Sequence, residues 1–309
     1  MILPCLEGLR TDEITDNDIN DVLKKLVEKG YSYNTVLKGY RLMKSYFKSR
    51  ISKGTFHYNP MGDLKMFTKD YVDKFSKKKS SSSEEIRILT DEEIDRIRNV
   101  CYNGYSLEWE KDGKKYKSKR QYLYQSKYFL FVLFTGLRGG EAIALKYKDI
   151  DCGNNTMAVT ANITSSKKRD ADGNAIGGIE SKEGTPKTKS SKTTVPISNQ
   201  AVKILLELLE DEPKGYSGYI AHNKDGTPLC ESAFRKRFAN LLRQSGVEHC
   251  GLHTLRHTFA SKLYEKTKDI QLVSKLMRHS KPSITQDIYV HITEQSKIDI
   301  KSTIEKFEL

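Results

Sequence analysis

Between Leu252 and Ile292 the chain reads LHTLRHTFASKLYEKTKDIQLVSKLMRHSKPSITQDIYVHI, and most of its unusual polar chemistry collects there. On a helix of about 3.6 residues per turn, His253 and Arg256 lie about 60° apart, beside an apolar stripe of Leu255, Phe259 and Leu263. A helix that buries this stripe is expected to hold the imidazole and the guanidinium at the rim of the core, facing one target. Further on come His279, within Arg278-His279-Ser280, and Tyr289. Taken singly, each has a plainer reading. His253 could be a satisfied interior or surface histidine, and Tyr289 is one of seventeen tyrosines. The i,i+4 pair His253 and His257 could be half of a zinc site, but no third ligand follows at a familiar spacing. Together, a phenol, imidazoles and an arginine suit a site for a phosphate and a nucleophile.

Outward from this stretch, Thr135-Gly136-Leu137-Arg138-Gly139-Gly140-Glu141 and Thr185-Pro186-Lys187-Thr188-Lys189 precede His253-Thr254-Leu255-Arg256-His257, then Arg278-His279-Ser280 and Tyr289. In type, order and spacing these five elements resemble the catalytic half of the tyrosine recombinases, the phage integrase family, over roughly residues 90 to 292. Integrases of phages and conjugative transposons are the members most alike. One departure is Arg278 where a glycine is usual, expected to be tolerated on a turn. The resemblance implies a mainly α fold with a small antiparallel β-sheet (α+β), preceded by a small helical core-binding domain. It implies a site of Arg138, Lys187, His253, Arg256, His279 and Tyr289, with Lys189 the reserve for Lys187. No cofactor and no metal are implied. The implied partner is double-stranded DNA at specific sites, bound by a homo-tetramer joined through the C-terminal helix, with accessory DNA-bending or directionality proteins.

Composition agrees with a polyanionic partner. The chain has 309 residues, enough for two domains, and a formal net charge of +13. Its five cysteines, Cys5, Cys101, Cys152, Cys230 and Cys250, are widely spaced and read as reduced intracellular thiols. Met1-Ile2-Leu3-Pro4 does not read as a secretory leader, and the strongly apolar run Tyr128 to Phe134 is too short to cross a bilayer. A soluble, cytoplasmic protein without membrane association is expected.

Residues 1–76 read as helical. Thr15-Asp16-Asn17-Asp18 can cap a helix carrying Ile19, Val22, Leu23 and Leu26, and a second helix runs from about Asn34 to Ile51. Lys38, Arg41, Lys44, Lys48 and Arg50 are interleaved along the second, either as a solvated face or as a DNA-backbone face. Asn59-Pro60-Met61 is expected to turn the chain into a short helical piece. This region is shorter than usual in the resembled family, implying a truncated or reduced N-terminal module. Residues 77–89, with their run of lysines and serines, read as a flexible linker.

Residues 90–292 would form the catalytic domain. Thr90 to Glu93 is a capping box, Gly104 to Arg120 an inserted loop or hairpin around Asp112-Gly113, and Tyr122 to Phe134 an apolar helix delivering Arg138. Strands are expected near Thr156–Ile163 and Thr193–Ile197, helices over Asn199–Leu209 and Glu231–Gln244, and a brief strand at Tyr219-Ile220. Arg138 could merely pair with Glu141. Residues 293–309 suggest a terminal helix for docking on the chain's own core or, by the resemblance, on a neighbouring subunit.

A phenol with a pKa of about 10 attacks well only as phenolate, and two guanidiniums beside it favour that form. The resemblance assigns Arg138 and Arg256 to the phosphate, His253 and His279 to its oxygens and the tyrosine proton, Lys187 to the departing 5′-oxygen, and Tyr289 to the attack. Three other readings stay open at this level: a type IB topoisomerase-like monomer, a non-catalytic DNA-binding protein of the same fold, and a zinc-dependent nuclease.

Overall fold

The structure, a computed structural model, describes residues 6, 8–76, 86–171, 174–184 and 193–278. The chain divides into two compact units between Glu85 and Ile86.

The first unit is built on α1 (Asp16–Glu28) and α2 (Tyr33–Ser52). Thr15 and Asp18 form a reciprocal capping box that satisfies otherwise unpaired N–H groups at the start of α1. Ile19, Val22, Leu23 and Leu26 then pack with Val36, Tyr40, Met43 and Phe47. Met61 and Val72 complete the core, and Tyr40 donates its hydroxyl to the Leu64 carbonyl at 2.7 Å. Lys38, Arg41, Lys44, Lys48 and Arg50 are all exposed. The helical piece expected straight after Asn59 begins later, as α3 (Lys69–Phe75). The Asn59 side chain instead accepts the Met61 N–H, holding a turn that drops Met61 into the core.

The second unit opens with α4 (Asp91–Asn103), capped reciprocally by Thr90 and Glu93. The inserted segment is a hairpin of β1 (Glu108–Lys111) and β2 (Lys114–Lys117), turned by Asp112 and Gly113, both at positive φ. The apolar helix, α5 (Lys127–Thr135), starts later than Tyr122. Gln125 takes a positive φ, which breaks helical continuity, and Tyr122 and Tyr124 stay exposed. From Tyr128 to Leu133 every α5 side chain is buried, so this helix forms the centre of the unit. Phe129 stacks on Phe234 and packs on Phe238, with centroids 4.8 and 5.2 Å away. Each fully buried aromatic contributes roughly 1.5–3 kcal/mol.

After α6 (Gly139–Ala144), the run expected as one strand over residues 156–163 is two. Strands β3 (Ile150–Asp151), β4 (Thr156–Val159) and β7 (Thr193–Pro196) make one antiparallel sheet. Strands β5 (Asn162–Arg169) and β6 (Ala175–Gly184) make a separate antiparallel hairpin. The break falls where the hydrogen-bonding partner changes from β7 to β6. Tyr219 makes only an isolated bridge, to Lys146. Helices α7 (Asn199–Leu209) and α8 (Glu231–Gln244) run over the expected residues and are followed by α9 (His253–Thr267) and α10 (Ile270–Leu276). The fold is thus mainly helical with small antiparallel sheets. Among the described residues no helix is long and apolar enough to cross a membrane.

Candidate active site

The site forms where α5 ends, α9 begins and α10 gives way to the Met277-Arg278 turn. Gly136 closes α5 in the left-handed conformation, at φ 62°. A Cβ there would lie 2.5 Å from the Phe259 ring and 3.0 Å from Met277 Sδ, so only glycine lets α5 end against α9 and this turn. Leu137 is then buried and Arg138 emerges at the head of α6. Two residues on, a Cβ at Gly140 would meet Asn162 Oδ1 at 2.2 Å and the Ile163 carbonyl at 2.7 Å. The two glycines of the Arg138-Gly139-Gly140-Glu141 segment are not equivalent, because only Gly140 is pressed against β5.

Arg138 is partly exposed and held on two sides. Its Nη1 donates to Glu141 Oε1 at 2.8 Å and its backbone N–H to Glu141 Oε2 at 3.0 Å. Its Nη2 donates to the Arg278 carbonyl at 3.0 Å. The pairing of Arg138 with Glu141 is real, and it leaves the arginine anchored at the cleft wall.

Arg256 is not at the rim of the core but inside it, 3% exposed. Leu255, Thr258, Ala260 and Ser261 are buried as well, while Phe259 and Leu263 are only half-buried. Helix α9 is therefore covered on most of its surface, not along one stripe, because α5, α10 and the segment at Leu89 all pack on it. Thr258 Oγ1 accepts the Leu89 N–H at 2.9 Å, for example. Arg256 Nη1 donates to the Gly136 carbonyl at 2.5 Å and Nη2 to the Met277 carbonyl. Burial, with Arg138 and Arg278 nearby, pushes its guanidinium down to about 9, still cationic at neutral pH.

The consecutive carbonyls of Met277 and Arg278 thus accept from the two arginines that the sequence places 118 residues apart, at 138 and 256. His253 faces the same region. Partial burial of its ring, then the charges of Arg256, Arg235 and Arg138, lower its pKa, so the neutral imidazole prevails at neutral pH and can accept a proton. A cleft of about 460 Å³ beside it is lined by Arg138, Asn162, Thr164, Arg235, His249 and His253. Behind it His257 is pushed down to about 4, by burial first and then by His253 and Arg256.

Arg278 is the residue whose importance the sequence did not disclose. Expected as a tolerated turn residue, it adopts φ 53° and turns its side chain inward, where Nη2 donates to Glu141 Oε2 at 2.6 Å. That guanidinium is 1% exposed. Its signal was a charged residue at a position where glycine suffices.

Of the six expected site residues, Arg138, His253 and Arg256 come together. Lys187, His279 and Tyr289, with the reserve Lys189, lie outside the described residues, although His279 directly follows Arg278 in the chain. Among the described residues no group of three or more His, Cys, Asp or Glu could hold a metal ion.

A profile of the phage integrase family matches residues 87–296. A tyrosine recombinase XerC-like protein of Caldanaerobacter subterraneus subsp. tengcongensis is 28% identical, over 97% of this chain and 73% of its own length. The transposase from transposon Tn916 of Enterococcus faecalis is 26% identical, over 94% of this chain and 66% of its own. In structure, the Tn1549 transposon integrase in complex with a circular intermediate DNA is similar with a TM-score of 0.66 at 18% identity, over 92% of this chain and 85% of that one. A lambda integrase dimer bound to a core site gives 0.56 at 16% identity, over 91% of this chain and 82% of that one.

The chain belongs to the phage integrase family, the tyrosine-type site-specific DNA recombinases.

Proposed function

We propose that this recombinase cuts and rejoins double-stranded DNA by attack of Tyr289 on a phosphodiester, forming a 3′-phosphotyrosyl link and releasing a 5′-hydroxyl. Arg138 and Arg256 grip the non-bridging oxygens, where charge accumulates in the transition state. Neutral His253 accepts the tyrosine proton. His279 donates to a phosphate oxygen and Lys187 protonates the departing 5′-oxygen. The phosphotyrosyl bond retains the energy of the one it replaces, so exchange needs no nucleotide hydrolysis.

The observation that carries this reading is the shared anchorage of Arg138 and Arg256 on adjacent carbonyls of one turn. Two forks, both cationic at neutral pH and both anchored on one turn, suit one phosphate. In this reading residues 1–76 clamp one side of the duplex, 77–89 link, 90–292 carry the chemistry, and 293–309 dock on a neighbouring subunit of a tetramer assembled on paired sites in the cytoplasm. Accessory bending or directionality proteins would act on the DNA around it.

The test uses a nicked duplex carrying the end sequence of the host element, which traps the covalent intermediate. A denaturing gel and peptide mapping should place the adduct on Tyr289, and Tyr289→Phe should abolish it. An adduct on any other residue would refute the assignment.

A further inference from the structure

Glycine would make the Met277-Arg278 turn without strain, since position 278 sits at φ 53°. Here an arginine occupies it and buries its guanidinium. Among the described residues, Nη2 has Glu141 as acceptor while Nε and Nη1 have none. A left-handed, buried cation is unfavourable on its own account, so its effect on its neighbours is the place to look for a role.

That neighbour is Glu141, a buried carboxylate already engaged by Arg138 through Nη1 and through the backbone N–H. With Arg138 and Arg256 alone, it would offset one of two cationic forks. With Arg278 present, two guanidiniums bond the one carboxylate while Arg256 lies close enough to feel its charge, and Glu141 Oε2 is shared between the Arg138 backbone and Arg278. The Arg278 carbonyl meanwhile holds Arg138 Nη2, a bond that any residue at this position could make. The side chain and the carbonyl are thus separable in function.

We propose that Arg278 is a positioning residue for the phosphate-gripping pair: its guanidinium takes up the charge of Glu141, so that Arg138 presents an undiminished positive charge to the DNA phosphate. This rests on the reading of Arg138 and Arg256 as phosphate ligands. Arg278 itself is buried and acts through Glu141.

Arg278→Gly keeps the turn and its carbonyl and removes only the side chain, while Arg278→Lys restores a charge. The full chain is tested on nicked duplexes carrying the element end, with the scissile group either a normal phosphodiester or a neutral methylphosphonate. The glycine variant should form the covalent adduct about 10-fold more slowly on the phosphodiester, with duplex affinity within about 2-fold. On the methylphosphonate, which has no ionic charge to neutralise, its deficit should shrink to less than about 3-fold. The lysine variant should recover most of the phosphodiester rate. An equal loss on both substrates would mean that Arg278 merely supports the fold, and no loss on either would mean that it has no part in the reaction. Either result overturns the proposal while leaving the phosphate site intact. Absence of a tyrosyl adduct with the unsubstituted protein would instead overturn the functional reading itself, and this inference with it.

Discussion

Arg256 Nη1 donates to the carbonyl oxygen of Gly136 at 2.5 Å, joining the first turn of α9 to the end of α5 across 120 residues of sequence. The same guanidinium reaches Met277 through its other arm. One buried side chain therefore sets the relative placement of three chain segments inside the unit, in addition to any role toward DNA.

Arg256→Lys should separate these duties. A lysine is a single point charge on a flexible stem and cannot bridge two carbonyls while facing a phosphate. Adduct formation on a nicked duplex should fall by about 10²–10³-fold. Thermal unfolding should show a loss of about 1–3 kcal/mol, as one buried carbonyl goes unpaired. Retention of full activity would exclude the proposed grip.

Gly136→Ala and Gly139→Ala should differ sharply. At 136 the new methyl would stand 2.5 Å from the Phe259 ring on a left-handed backbone, whereas at 139 it would meet only Leu252 Cδ1 at 3.5 Å. The first should lower stability by about 1–3 kcal/mol and misplace Arg138, and the second should be close to neutral. Denaturant unfolding of the two variants measures the contrast.

The two histidines of α9 give a pH dependence with a definite sign. Both have folded pKa values below the unfolded one of about 6.5, so between the two values the unfolded chain binds the extra proton. Stability should therefore be lost as pH falls from about 6.5 toward 4, the lower limit set by His257. His257→Asn should flatten the dependence of melting temperature on pH in that window. Adduct formation should weaken on the same acid side, as His253 gains a proton and can no longer accept the one from the tyrosine.

On α2, Lys38, Arg41 and Lys48 fall within an arc of about 80°, roughly opposite the packed face of Val36, Tyr40, Met43 and Phe47. If this arc follows the DNA backbone, each Lys→Gln change should weaken binding and reduce the slope of log affinity against log salt by about 1. An unchanged slope for Lys38→Gln and Lys48→Gln would assign the arc to solvent. Titrations at several salt concentrations decide it.

Local features of the sequence carried a large part of this protein. Thr15 and Thr90 cap helices because the acceptor and donor lie three residues apart, and Asp112-Gly113 turns a hairpin because both residues tolerate positive φ. The apolar spacing of α7 and α8 set their limits for the same reason, since helical periodicity is written in consecutive residues. The grouping of Arg138, His253 and Arg256 was legible as a resemblance in order and spacing. What was not legible depends on partners far away in the chain. Arg256 is inside and not at the rim because Gly136 and Met277 offer it carbonyls there. Residues 156–163 divide because β4 and β5 find different partner strands, and the side chain at 278 turns inward because Glu141, 137 residues earlier, is buried beside it. A buried charge is stable only where another part of the fold supplies its counter-charge or acceptor, and that pairing exists only once the chain has closed upon itself.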